Sequence, residues 1–232
     1  MTPPRPIQLV VFDLGGVIVR ICQSFEQAAA RAGLAFEPAR ILDPERKAER
    51  KRLHGLYERG RLGCDEFFAG VSATTGGLYT TEEFRRVHES WIIEEYPGVH
   101  ALIDDLHAAG LHTGALSNTN AAHWAQMSRP SPDRPAAFDA PARLRHRHAS
   151  HLLGHAKPDA PIYGAFIEHT GFHPGSVVFF DDLKANVAAA IGCGWHAHRI
   201  DPSGDPAAQI RGHLLGLHGV DPGASPAASR RV

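Results

Sequence analysis

The chain has 232 residues, enough for one α/β unit with a substantial buried core and a smaller insertion. Its 24 Lys and Arg nearly cancel 25 Asp and Glu, leaving a formal net charge of −1. No global field draws such a chain to nucleic acid or to an anionic membrane, so a small, local ligand is the better expectation.

Cys22, Cys64 and Cys193 form no CxxC pair and leave an odd count, which argues against a disulfide framework or a zinc knuckle. Residues 1–6 lack a charged region followed by an apolar stretch, and no apolar run approaches the ~20 residues that spanning a bilayer requires. The expectation is a soluble, unexported, cytoplasmic protein with reduced cysteines.

Residues 7–12 form a short, nearly continuous apolar run rich in β-branched side chains, as expected of a strand buried on both faces of a parallel sheet. Asp13 sits where that strand ends. From residue 20 to 96 the character changes to helical stretches at 45–59, 64–74 and 81–92, read as an inserted helical cap. Pro97 opens a helix whose Val99, Leu102, Ile103 and Leu106 share one face, and Gly110 closes it before an apolar strand at 113–116. Residues 129–141, rich in Pro, Ala and Asp, read as a loop. Ile162, Ala165 and Phe166 carry helical spacing up to Gly171. A buried strand at 177–180, a helix at 183–191 ended by Gly192 and a last strand at 196–200 follow.

Strands alternating with helices across short Gly- and Pro-marked connections indicate a doubly wound, Rossmann-like parallel sheet with its site at the carboxyl ends of the strands. The predicted organisation is an α/β core from residues 1–19 and 97–205 and a cap from 20–96. Residues 206–232 complete it as a C-terminal helix followed by a disordered tail of about a dozen residues. No internal repeat is found.

An aspartate after a hydrophobic strand often does no more than bind loop backbone or cap a helix. Here four such signals occur in order: Asp13-Leu14-Gly15-Gly16-Val17, Leu116-Ser117-Asn118-Thr119-Asn120, Gly154-His155-Ala156-Lys157-Pro158, and Asp181-Asp182 with Asn186 beyond. Together they supply what phosphoryl transfer through an aspartyl-phosphate needs. Asp13 is the candidate nucleophile. A carboxylate and a phosphate repel, so the site needs a lysine, Lys157, and a divalent cation held by Asp13, Asp181 and Asp182. Mg²⁺ takes six oxygens and keeps waters, so one or two carboxylates and a backbone carbonyl, that of Gly15, suffice. Ser117 and the amides after it, beginning with Asn118, can donate to phosphate oxygens, and Gly15 and Gly16 let the backbone approach closely.

These four motifs resemble those of the haloacid dehalogenase superfamily over residues 7–200. The DLGGV, LSNTN, LLGHAKPDAPIY and VVFFDDLKANV segments are most similar to the branch of α-glucose-1-phosphate phosphatases and epoxide hydrolase N-terminal phosphatase domains. The resemblance implies a Mg²⁺-dependent phosphatase acting on a small phosphorylated metabolite. It implies Asp13 as nucleophile, Ser117 as phosphate-binding hydroxyl, Lys157 as neutralising lysine and Gly16, Asn118 and Ser117 around the phosphate. It also implies Asp182 as direct metal ligand, Asp181 in the first or second shell and Asn186 orienting the loop.

One departure matters. Most phosphatases of the superfamily carry a second aspartate two residues after the nucleophile as general acid and base; here that position is Gly15. The loss is worth ~10² to 10⁴ in rate, or roughly 3 to 5 kcal/mol. A good leaving group, such as an anomeric sugar phosphate or an aryl phosphate, suffers least. Two other readings follow from Gly15: a weak or inactive member that binds a phosphorylated ligand or a partner, and a haloacid dehalogenase, which the tandem Asp181-Asp182 disfavours because uncompensated adjacent carboxylates are costly.

The histidines at 146, 148, 151 and 155 are read as structural, since Arg143, Arg145 and Arg147 repel an added cation. Tyr57, Glu58, Arg59 and Phe67 lie where such a cap can approach the active site, although a helical core explains the aromatics equally well; Trp91 and Trp124 are read as packing residues, and Lys184 and Arg199 as solvated charge.

Overall fold

The structure is a computed structural model that describes residues 5–127 and 138–223. Its centre is a five-stranded sheet built from β1 (Leu9–Phe12), β4 (His112–Ser117), β5 (His146–Ala149), β6 (Val177–Asp181) and β7 (His196–Arg199), ordered β5-β4-β1-β6-β7 with every pairing parallel. The apolar run of β1 is explained by its place in the middle. Val10 and Phe12 pack into the cluster on one face, Leu9 and Val11 into the cluster on the other, and Val178 and Phe180 alternate with Val177 and Phe179 in the same way on β6.

Helices cover both faces, as the parallel crossovers demand. On one side α6 (Val99–Ala108), with Val99, Leu102, Ile103 and Leu106 wholly buried, packs with α12 (Pro206–His218), which contributes Ile210 and Leu214. On the other lie α10 (Ala160–Thr170), whose Ile162, Tyr163 and Phe166 are buried, and α11 (Lys184–Gly192).

Between the first and fourth strands the chain leaves the sheet. Strands β2 (Val19–Ile21) and β3 (Ile92–Glu95) form a two-stranded antiparallel ribbon, bulged between Arg20 and Ile21, that brackets α1 (Phe25–Arg31), α2 (Pro38–Ile41), α3 (Pro44–Glu58), α4 (Cys64–Ala73) and α5 (Thr81–Glu89). These helices bury their own cluster, including Tyr57, Phe67, Phe68 and Phe84. Helix α5 is framed by a capping box in which Thr80 accepts from the Glu83 amide while the Glu83 carboxylate accepts from the Thr80 amide.

Three sequence expectations need correction. The helix predicted over 81–92 ends at Glu89, and Ile92 opens β3 instead, because the β-branched pair Ile92-Ile93 is used to close the ribbon against β2. Residues 139–141, predicted as the end of a loop, open the short helix α8 (Asp139–Arg143), whose Ala140, Pro141 and Ala142 are buried; residues 129–137 of that loop lie outside the described residues. The edge strand β5 was not among the predicted elements. The C-terminal helix is present as α12, and the expected disordered tail lies, from residue 224 on, outside the described residues. Among the described residues no helix is long and apolar enough to cross a membrane.

Candidate active site

Because β1 is central and β4 and β6 flank it, the carboxyl ends of three parallel strands deliver Asp13, Ser117 and Asp181 to one place. All three are buried, Asp181 completely. The Asp13 amide is fixed by the Phe180 carbonyl at 2.8 Å, so the loop after β1 is tied to the neighbouring strand.

Lys157 reaches the same point from the loop after the short helix α9 (Ser150–Leu153). Its Nζ lies 3.1 Å from Asp13 Oδ1 and 2.7 Å from Asp181 Oδ2, with the side chain wholly shielded from water. Two reciprocal bonds hold the lysine backbone: Asn118 Nδ2 donates to the Lys157 carbonyl and the Lys157 amide donates to Asn118 Oδ1, both at 2.8 Å. The Asn118 side chain is thus committed to Lys157, and only its backbone amide is left to meet a ligand.

Asp181 is similarly committed. Asn186 Nδ2 reaches both of its oxygens at 3.0 Å, the Leu183 amide donates to Oδ1 at 2.8 Å, and Lys157 takes Oδ2. Asn186 is itself anchored through its carbonyl, which accepts from the Tyr163 hydroxyl at 2.9 Å. Asp182, by contrast, receives no side-chain hydrogen bond from another residue among the described residues. One carboxylate oxygen from each of Asp13, Asp181 and Asp182 lies within 4.8 Å of the others, an arrangement that can hold a metal ion and the one acidic or histidine cluster of that kind among the described residues. The Gly15 carbonyl accepts no backbone hydrogen bond, which leaves it available as a further oxygen ligand. The donor set, all oxygen and mostly anionic, fits a hard divalent cation such as Mg²⁺.

The electrostatics agree. Burial pushes the Asp13 carboxyl up to about 7, Asp181 and Asp182 adding to the rise while Lys157 and Ser117 pull against it. Burial, reinforced by Asp181, also raises Asp182. Burial alone lowers the Lys157 pKa, but Asp13 and Asp181 outweigh it and hold the ammonium up. Three carboxylates around one lysine carry an excess of negative charge that a cation would remove.

Gly16 is the glycine this geometry requires. Its φ is +76°, and a Cβ there would stand 2.9 Å from Asp182 Cγ, so a side chain would press directly on a candidate ligand. Gly15 is different: its φ is not left-handed, and a Cβ would meet only the Ile21 Cδ1 methyl at 3.2 Å. No carboxyl group stands at that position.

A cavity of about 490 Å³ opens beside the site, between the sheet's loops and the helical insertion; Gly15, Ser117 and Asn118 line it from the sheet side. From the insertion, α5 brings His88, whose ring stacks at 3.8 Å on His123 of α7 (Ala121–Gln126). His123 Nε2 faces the His88 carbonyl at 2.8 Å, and Tyr57 accepts from the Ala122 amide at 3.1 Å, so the insertion is docked on the sheet through named bonds.

Several residues take places that the sequence did not assign. Arg199, read as solvated charge, donates from Nε to the Asp182 carbonyl at 3.0 Å and steadies the acidic loop. Ser150, fully buried, bonds both the amide and the carbonyl of Thr119 and so shapes the turn after Ser117. Trp91 lines the cavity rather than serving packing alone. Tyr57 and Phe67 are core residues of the insertion, whereas Arg59 pairs with Asp159 at 3.4 Å across to the sheet layer. His146 and His148 lie on β5, His151 contacts the Thr119 carbonyl and His155 is exposed, with no metal cluster formed by them among the described residues.

Known proteins resemble this arrangement. The chain matches the haloacid dehalogenase-like hydrolase family over residues 7–194. It is 26% identical over 150 residues to phosphatase MT3486 of Mycobacterium tuberculosis (strain CDC 1551 / Oshkosh), a match covering 65% of this chain and 66%, just under two thirds, of that relative. Among solved structures, a HAD-like family hydrolase from Porphyromonas gingivalis superposes with a TM-score of 0.71 at 26% identity over 89% of this chain and 97% of the other. The HAD family enzyme bt-2542 of Bacteroides thetaiotaomicron, in complex with magnesium and inorganic phosphate, superposes with a TM-score of 0.72 at 21% identity over 88% and 100%, a likeness of fold. By the extent of the family match, most of its length, this chain belongs to the haloacid dehalogenase-like hydrolases.

Proposed function

We propose that the chain is a Mg²⁺-dependent phosphatase that hydrolyses a small phosphomonoester through an aspartyl-phosphate on Asp13. The observation that carries the reading is the convergence of Asp13, Lys157, Asp181 and Asp182, three carboxylates with a single buried lysine between two of them. A carboxylate cluster of this charge has a use where a cation and a phosphoryl group are bound together.

Asp13 attacks phosphorus with the carboxylate oxygen that Lys157 does not hold. Its other oxygen, Oδ1, is fixed by Lys157 and by the Leu14 amide at 2.7 Å, which aims the carboxylate. The Ser117 hydroxyl and the Asn118 amide donate to phosphoryl oxygens, and Lys157 offsets the negative charge that accumulates. Asp13, Asp182, Asp181 and the Gly15 carbonyl would hold a Mg²⁺, which when bound would further neutralise that charge. The P–O bond to the leaving group breaks with its electron pair on the departing oxygen. Position 15 has no proton to give, so that oxygen is protonated by water. Water then attacks phosphorus, releases inorganic phosphate and regenerates Asp13.

The relative named as a phosphatase and the neighbour with magnesium and phosphate bound support this reading. The tandem Asp181-Asp182 disfavours dehalogenation, in which a carboxylate attacks carbon and no cation is needed to offset neighbouring acids. The test is phosphate release from acetyl phosphate and a phosphomonoester panel with Mg²⁺, compared with Asp13→Asn. Release that depends on Asp13 is expected. Equal release by both proteins would exclude Asp13 chemistry, and binding of phosphate without turnover would favour a ligand-binding member.

A further inference from the structure

The cavity beside Asp13 has a composition that sorts substrates. Its walls are apolar over most of their extent, with Ile21, Phe25, Phe84, Val87, Trp91 and Ile92 among them, which suits an apolar body better than a polyol. Its sheet side carries Gly15, Ser117 and Asn118, where the phosphoryl group of the proposed reaction sits.

The α3 wall is different. Lys47, Arg50, Lys51 and His54 all line the cavity, and their spacing of i, i+3, i+4 and i+7 puts them on one stripe of the helix. Lys47, Arg50 and Lys51 make the stripe cationic, while burial pushes His54 down to about 4 and leaves it neutral. Among the described residues no Asp or Glu lines the cavity and neither Lys47 nor Lys51 has an ion-pair partner, and the nearby Glu49 is engaged by Arg52 at 2.7 Å instead. Arg50 is buried and spends its hydrogen bonds on the Thr74 and Ile41 backbone, holding its charge in place without cancelling it. His54 makes no hydrogen bond among the described residues. Positive groups beside an apolar chamber, with no acid among the described lining residues, suit an anion carried on an apolar body.

A second observation bears on the leaving oxygen. Position 15 provides no acid, and the Ile21 side chain lies against the place its Cβ would take. A leaving group that departs stably as an anion needs no proton at that moment, and a phenolate is of this kind. An aromatic ring also suits the walls.

We infer, resting on the phosphatase reading above, that the substrate is an aryl phosphate, or a closely similar phosphomonoester, bearing a second anionic group such as a carboxylate, which Lys47 and Lys51 select across the cavity. These two lysines are specificity residues; the P–O cleavage itself proceeds as described, with the phenolate leaving and later taking a proton from water.

The experiment compares kcat/KM with Mg²⁺ for 4-carboxyphenyl phosphate and 4-carbamoylphenyl phosphate, which have nearly the same shape and differ in charge. The carboxamide is the better leaving group, so chemistry alone favours it. The expected result is a preference for the carboxylate of about tenfold, the order two partly exposed charge contacts provide, and its collapse in Lys47→Met/Lys51→Met. Lys51→Glu should move the ratio toward or past the carboxamide. Both esters are measured on one preparation, so a partly folded variant cannot alter the ratio. A wild-type ratio at or below one overturns the inference, as does a preference that persists in the double variant. Absence of Asp13-dependent release from acetyl phosphate, which has no body to fill the cavity, is the separate failure of the phosphatase reading and removes this inference with it.

Discussion

Replacing Gly15 by Asp tests the most unusual feature of the site. The backbone accepts the change, since φ at 15 is not left-handed, and the new Cβ meets only the end of the Ile21 side chain at 3.2 Å, a contact that a shift of a few tenths of an ångström relieves. The new carboxyl enters a site that already holds Asp13, Asp181 and Asp182, so its pKa rises, which is what a general acid working near neutrality needs. A positioned acid is worth ~10² to 10⁴ in rate, roughly 3 to 5 kcal/mol of barrier, and crowding of Ile21 returns about 1 kcal/mol of it. The benefit depends on the leaving group. For an alkyl ester such as glucose 6-phosphate, kcat should rise by at least ~10-fold, whereas 4-nitrophenyl phosphate, whose anion leaves unaided, should change by less than about threefold. The assay is steady-state phosphate release with Mg²⁺ on both esters, with thermal melting to confirm the fold and Gly15→Asp/Ile21→Val to provide room. Equal acceleration of both esters, or an unchanged alkyl rate in a folded protein, would show that the absence of an acid at 15 does not limit turnover.

Other perturbations follow from the same geometry. Lys157→Met leaves Asp13 and Asp181 facing each other without their cation and should cost about 3–5 kcal/mol in urea unfolding as well as abolishing turnover; adding Asp181→Asn should restore stability in part and activity not at all. Gly60→Ala places a Cβ 2.3 Å from the His151 carbonyl at a φ of +67°, so it should destabilise by about 1–3 kcal/mol and raise KM by loosening the insertion from the sheet, read by urea melts and kinetics together. Burial pushes His54 and His123 down to about 4 and holds His88 well below its ordinary value. Their folded pKa values lie below the unfolded value, so the stability they contribute is present above pH 6.5 and is lost as pH falls toward 4, at up to ~1.4 kcal/mol per pH unit per histidine. Asp13, raised by burial, acts in the opposite sense, so urea midpoints between pH 7.5 and 4.5 are best compared in Asp13→Asn and Asp13→Asn/His123→Phe; an equal slope in both would refute the role of His123.

The sheet was legible because its central strands are buried on both faces. The run at 7–12 and the stretch at 177–180 have no polar alternation to confuse, and each ends at an acid. Strand β5 was not, because an edge strand written His146-Arg147-His148-Ala149 lacks an apolar period and is held by pairing with β4. The β2–β3 ribbon escaped notice for another reason: its strands have three and four residues and join across an insertion of some seventy, so no local hairpin signal exists. The four site motifs could be read because each lies directly after a strand or turn. The α3 stripe of Lys47, Arg50, Lys51 and His54 could not be singled out in the same way, since an exposed helix carries such spacing often, and only its position over the cavity gives it meaning.

The way Lys157 is held ties these levels together. Strands β4, β1 and β6 are neighbours, so Ser117, Asp13 and Asp181 need no special device to meet; Lys157 follows the edge strand β5 and must be carried over β4 to reach them. Asn118 does this, gripping both the amide and the carbonyl of Lys157 from the residue next to Ser117. Ser150 braces the same turn from below through Thr119. The turn after Ser117 and Lys157 therefore form one rigid piece, with two bonds of 2.8 Å at its centre, while Asn186 and Leu183 fix Asp181 on the other side of the ammonium. A buried cation between two carboxylates is costly unless its geometry is fixed, and here the fixing comes from the Asn118 and Asn186 side-chain amides. On this arrangement the freedom to evolve specificity lies in the insertion, because every side chain facing the ammonium from the sheet is already committed.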